Sequence, residues 1–157
     1  MAQSYKNFKQ NLNENELTLL EIGELVQPYD TGFVFSERGN TITTDFKDHE
    51  LNLIKVLFHR FKEGSNSFEL EFTINNHSAE AFKTDLKHFF KIISTVVQAT
   101  NEFIEKYQPI NLSIEGFDKV GKEGQKNNIW LQYAKVNLKA DDYTLGVSPK
   151  GFGLQRK

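Results

Sequence analysis

Phe68, Leu70, Phe72 and Ile74 alternate without a break with Glu69, Glu71 and Thr73, a period of two that a half-buried strand satisfies. Soon afterwards the period changes. Phe89, Ile92, Ile93, Val96, Val97, Phe103 and Ile104 recur at steps of three and four until Pro109 stops the run, which predicts a long amphipathic helix. Ser78 reads as an N-cap with Glu80 near the helix dipole, so the helical region is expected to open there. Leu112 and Ile114 then alternate with Ser113 and Glu115. That short strand requires the long helix to cross the sheet.

The flanking segments extend the same pattern. Leu17–Val26 fits both periods over its ten positions and is read as a short helix ended by Pro28. Phe33 and Phe35, a Gly39-Asn40 turn and the β-branched stretch Thr41–Phe46 predict a hairpin. Leu51–Phe61 fits helix and strand alike, and its β-branched and aromatic content favours strand. Ile129, Trp130, Tyr133 and Val136 predict a second, shorter helix. Tyr143–Val147 and Phe152–Leu154, around Pro149-Lys150-Gly151, predict the last strand or strand pair. The expected fold is α+β, an antiparallel sheet with one long and one shorter helix packed on one face. Residues 1–15 are polar and read as a flexible arm, leaving 16–157 as a single domain.

A chain of 157 residues with fourteen phenylalanines can bury an ordinary core without staples. The absence of cysteine excludes a disulfide framework, a thiolate zinc site and a cysteine nucleophile. Residues 1–10 lack the apolar stretch of a secretory signal, and no run approaches the ~18 apolar residues of a membrane span. A cytoplasmic location without membrane contact is expected, in the host cytoplasm if the gene is viral, with a place in the virion also open. Charge is unevenly divided: residues 119–157 carry a net +5 and the remainder −7. Neighbouring faces that neutralise each other account for this split, and a basic surface for an anionic partner is the alternative.

The candidates for chemistry are few. His49, His59, His77 and His88 contain no HxH, HExxH or HxxxH pair, so no metal site and no cofactor are expected. Asp45, Asp48 and His49 form the one tight acidic and imidazole group, a catalytic candidate for general-base or divalent-ion chemistry, although a polar turn between strands is the preferred account of the same residues. His77 beside Ser78 is better read as a helix entry than as a nucleophile. The glycines at 116, 121 and 124 do not match a phosphate-cradling GxxxxGK[ST] loop. Lys119, Lys122, Lys126, Lys135 and Lys139 with Trp130 and Tyr133 form the best nucleic-acid candidate, combining phosphate contacts with a stacking surface. Arginine occurs only as Arg38, Arg60 and Arg156, which weakens bidentate recognition.

The run FKIISTVVQATNEFIEKYQP, then INLSIEG, then IWLQYAKVNL and YTLG, resembles a set of small tailed-bacteriophage proteins of unknown function. The resemblance spans residues 68–147 and rests on Ser94, Thr95, Val96, Phe103, Pro109, Ile114 and Tyr133. Asn127-Asn128 stands where such sequences place an arginine. The resemblance implies phage origin and a similar fold, and no activity. The leading expectation is therefore a noncatalytic protein-binding accessory protein, a host-factor modulator or minor virion component. Nucleic-acid binding and a small hydrolase or metal-dependent enzyme are the alternatives. Partner binding or self-association is expected at the hairpin through Phe33, Phe35, Thr41 and Thr43, by strand addition to an exposed edge that a proline at Thr43 would block without unfolding the monomer.

Overall fold

The computed structural model describes residues 2–116 and 125–157. Its elements are β1 (Gln3–Ser4), α1 (Tyr5–Gln10), α2 (Glu14–Leu25), β2 (Ser36–Arg38), β3 (Thr41–Lys47), β4 (Leu53–Arg60), β5 (Ser67–Ile74), β6 (His77–Ser78), a 3₁₀ turn (Ala79–Ala81), α3 (Leu86–Tyr107), β7 (Asn111–Glu115), α4 (Gln125–Asn137), β8 (Tyr143–Ser148) and β9 (Gly151–Arg156). The strands form one sheet in the order β1-β8-β9-β7-β5-β4-β3-β2, with β6 paired to β5 beside that path. Among the described strands only β5 and β7 run parallel. A parallel pair needs a crossover, and α3 supplies it. The fold is α+β with a mostly antiparallel sheet.

Even-numbered positions of the central strands are buried, among them Ile42, Ile54, Val56, Phe58, Phe68, Leu70 and Phe72. Their odd-numbered neighbours are half-buried or exposed. Phe103 of α3 stacks on Phe58 and meets Phe68 edge-on, while Trp130 of α4 lies edge-on to Phe72. Leu51–Phe61, readable either way from its spacing, becomes β4 because it pairs along its length with both β3 and β5. Its β-branched residues fill a strand ladder better than a helix face.

Local chemistry sets the helix limits. Asn13 and Glu16 form a reciprocal capping box that starts α2 ahead of its first apolar residue. Asp85 caps α3 by accepting the His88 backbone N–H at 2.8 Å. Gln108, left-handed at φ 44°, ends that helix before Pro109. The helical region does not open at Ser78 as expected. Ser78 caps only the 3₁₀ turn, and the chain leaves helical geometry at Phe82 before Asp85 starts α3 anew.

The N-terminal stretch is also different from a flexible arm. Gln3 and Ser4 pair with Leu145 and Thr144 of β8, and Tyr5 and Phe8 are buried in the core. The Tyr5 hydroxyl donates towards the carbonyls of Lys135 and Leu138, each at 2.8 Å. Two aromatic anchors thus tie down a segment whose composition is otherwise that of solvated chain.

The hairpin corrects a further expectation. Thr43 is flanked by Ser36 of β2 and Leu57 of β4, so it lies between strands and is not an open edge. Asn40 and Arg60 are bonded through the Arg60 N–H, and antiparallel alternation from that pair turns the backbone groups of Thr43 towards Ser36. Replacing Thr43 with proline should therefore lower stability by about 1–3 kcal/mol, the cost of a lost and unpaired ladder bond. Urea unfolding of the variant, beside light scattering, checks this: an unchanged midpoint would contradict the pairing.

Candidate functional site

The basic C-terminal set does not make a stacking surface. Trp130 and Tyr133 are each only 2% exposed, so neither ring can receive a base without opening the core. Lys126 contacts the Phe82 carbonyl, and Lys135 lies 3.9 Å from Glu16 and over the ring of Phe8. Lys139 is exposed. Lys119 and Lys122, with the rest of the glycine loop after Gly116, lie outside the described residues. The three-residue spacing of Trp130 and Tyr133 marks a core stripe, and the aromatic half of the nucleic-acid candidate is thereby removed.

The hairpin residues point mostly inward. Phe33 meets Phe46 edge-on, and Phe35 packs on Phe58, Phe103 and Tyr107. Thr41 Oγ1 lies 3.0 Å from His59 Nδ1. On the hairpin's side of the sheet the terminal strand is β2, which is short, fully exposed and charged through Glu37 and Arg38, and Glu37 is ion-paired with Arg60. Short length and charge are the usual devices that blunt an edge.

Asp45, Asp48 and His49 do not converge. Asp45 is exposed and alternates away from the buried positions of β3. Asp48 instead turns inward at the end of β3 and organises the turn into β4: Oδ1 accepts from the backbone N–H groups of Glu50 and Asn52, at 3.0 and 2.8 Å, and Oδ2 from Asn52 Nδ2 at 2.9 Å. Burial by itself raises an aspartic acid. Here the hydrogen bonds from Asn52 and Glu50, with His88 alongside, outweigh that and hold the carboxyl below its ordinary range. His49 remains exposed, with Nδ1 at 2.8 Å from the Tyr29 hydroxyl. The general-base triplet dissolves, and its two surviving members meet Glu50 and His88, residues that sequence spacing did not connect.

A larger concavity lies elsewhere. A cleft of about 760 Å³ runs between the end of α2, the outer side of α3 and the segment joining α4 to β8. Val97, Ile104 and Tyr133, all buried, form its apolar floor. Burial pushes the Tyr133 phenol up to about 12 despite its hydrogen bond with Ser94, so the floor stays neutral. Exposed Glu102, Glu105, Asp141 and Asp142 surround the mouth, with Lys139 and Arg156 the cations among its described lining residues and Lys9 close enough to interact with Asp141. Arg156 is already bonded to the Gln108 carbonyl at 2.7 Å. Gln98 Oε1, buried in the same cleft, has no hydrogen-bond partner among the described residues.

No family model, curated protein or solved structure matches this chain. The reading of function therefore rests on residues and geometry. None of the cleft's carboxylates stood out along the chain. Glu102 and Glu105 are three apart on α3, which shows a shared helix face, but Asp141 and Asp142 reach that face only through the packing of α4.

Proposed function

We propose that this chain is a noncatalytic protein-binding accessory protein, and that the acidic cleft between α2 and α3 receives a basic segment of its partner. The carrying observation is the cleft itself: an apolar floor ringed by four carboxylates that outnumber the lining cations Lys139 and Arg156, with Lys9 beside Asp141. Its volume falls within the ~300–1,000 Å³ typical of binding pockets. Charge complementarity with lysine- or arginine-bearing chain follows from the rim, and an apolar residue beside those charges would bury on the floor. The buried Gln98 acceptor would take a donor from the same segment. A nucleic acid would meet a negative rim here, and its stacking pair is in the core. Phage origin, implied by the resemblance of residues 68–147, belongs to the same proposal and agrees with an accessory role.

A photo-crosslinking residue at Asn101, inside the cleft, tests the reading against one at Lys55 on β4. In producing cells, the cleft probe should capture one protein through a basic segment, and the sheet probe should not. Glu102→Lys with Asp142→Lys should weaken capture at least about tenfold, since reversed charges oppose the partner directly. Equal capture at both positions, or capture that survives the double reversal, would refute the cleft as the docking site.

A further inference from the structure

The residues that replace the Asp45 triplet carry a different chemistry. His49 and Glu50 sit on the turn between β3 and β4, and His88 stands in the first turn of α3. One ligand atom from each of the three lies within 4.8 Å of the others. His88 Nδ1 is 3.6 Å from Glu50 Oε1, and the two imidazole rings are centred 4.6 Å apart. We infer that His49, Glu50 and His88 form a binding site for one divalent transition-metal ion of the zinc class.

Donors at the ~2.0–2.2 Å bond lengths of zinc stand about 3.4 Å apart around a tetrahedron. The observed spacing is thus slightly open. His49 and Glu50 are exposed and can close it by side-chain rotation, while His88 is buried and fixed. Two imidazoles and one carboxylate suit Zn²⁺, Co²⁺, Ni²⁺ or Fe²⁺, whereas Mg²⁺ and Ca²⁺ require oxygen donors almost exclusively.

The surroundings support ligation. Asp48 Oδ2, with its side chain fully buried, lies 3.0 Å from His88 Nε2. A carboxylate there favours the proton on Nε2 and leaves the Nδ1 lone pair facing Glu50, the usual arrangement behind a metal-bound histidine. The Asp48 contact is close but off the line of a hydrogen bond, so the buried Nε2 has no hydrogen-bond partner among the described residues. That nitrogen is left unsatisfied in a ring that burial holds in place. Thr84 Oγ1 now stands 2.6 Å from Nδ1. An incoming ion takes over that lone pair as the half-buried Thr84 turns aside. On the other ligand, the Tyr29 hydroxyl engages His49 Nδ1 and leaves His49 Nε2 free to bind.

The test uses the tag-free full chain, stripped with chelator and titrated with Co²⁺ while visible d–d absorption is followed. One Co²⁺ per chain should bind with a four- or five-coordinate spectrum and be displaced by Zn²⁺. His49→Ala, at an exposed position that leaves the fold intact by circular dichroism, should weaken binding at least about tenfold, as should Glu50→Gln. His77→Ala, outside the cluster, should bind as the unaltered chain does. Absence of d–d absorption at millimolar Co²⁺, or equal affinity in His49→Ala, would overturn the site.

Discussion

Phe103→Ala should lower the unfolding free energy by about 3–5 kcal/mol, the range found when a fully buried aromatic is cut to alanine. Phe103 is 0% exposed and stands where α3 crosses the middle of the sheet. Its ring stacks on Phe58 at 3.7 Å, meets Phe68 edge-on at 5.1 Å, and touches Phe35 and Tyr107 at 6.2 and 4.9 Å. Those neighbours belong to two central strands, the loop before β2 and α3 itself. None can move into the vacated space without disturbing strand register, so the cavity persists and its cost adds to the lost burial. Domains of this size are stable by about 5–15 kcal/mol, so the variant loses from about a fifth to all of that stability. Urea denaturation with the slope held fixed reads the effect. A loss below about 1 kcal/mol would mean that Phe103 is not the centre of the core.

The second large effect lies in the segment whose composition looks least structural. Tyr5→Ala should cost about 3–5 kcal/mol by the same transfer and cavity terms. Tyr5→Phe, which keeps the ring, should cost about 1–3 kcal/mol by leaving the carbonyls of Lys135 and Leu138 without their donor. The pair of variants separates packing from hydrogen bonding. A residue in a solvated arm would change stability by no more than about 0.5 kcal/mol. Thermal unfolding with both variants distinguishes the outcomes, since a small, equal shift would mean that Tyr5 does not anchor β1 and α1 against α4 and β8.

Much of the architecture was legible because its signals are local. The strict alternation in Phe68–Ile74 became β5, and the three- and four-residue spacing up to Tyr107 became α3. Gly39, at φ 61°, supplies the left-handed turn residue between β2 and β3. Local signals place the start of α3 several residues too early, because Ser78 has real capping chemistry, used for one 3₁₀ turn, and Asp85 has it again. Two adequate caps in a row cannot be ranked without knowing which downstream residues reach the core.

The site was harder to read for a related reason. Asp48 and His49 are neighbours in sequence, and their grouping with Asp45 assumed that nearness along the chain means nearness in space. In a strand, alternation sends Asp45 and Asp48 to different sides. His88 lies on another element and carries no local mark of its meeting with His49. Trp130 and Tyr133 show the converse, a basic, aromatic segment whose three-residue step meant core.

The sequence by itself determined the periods, the main helix stops, the turn glycine and the lack of thiol chemistry, since each depends on residues within a few positions of one another. Only the tertiary structure decided the strand order, the anchoring of Tyr5 and Phe8, the meeting of His49 with His88 and the acidic cleft. Those depend on which elements pack together, and packing is selected by the shape and burial of the whole core, a quantity to which every buried side chain contributes and which no single segment encodes.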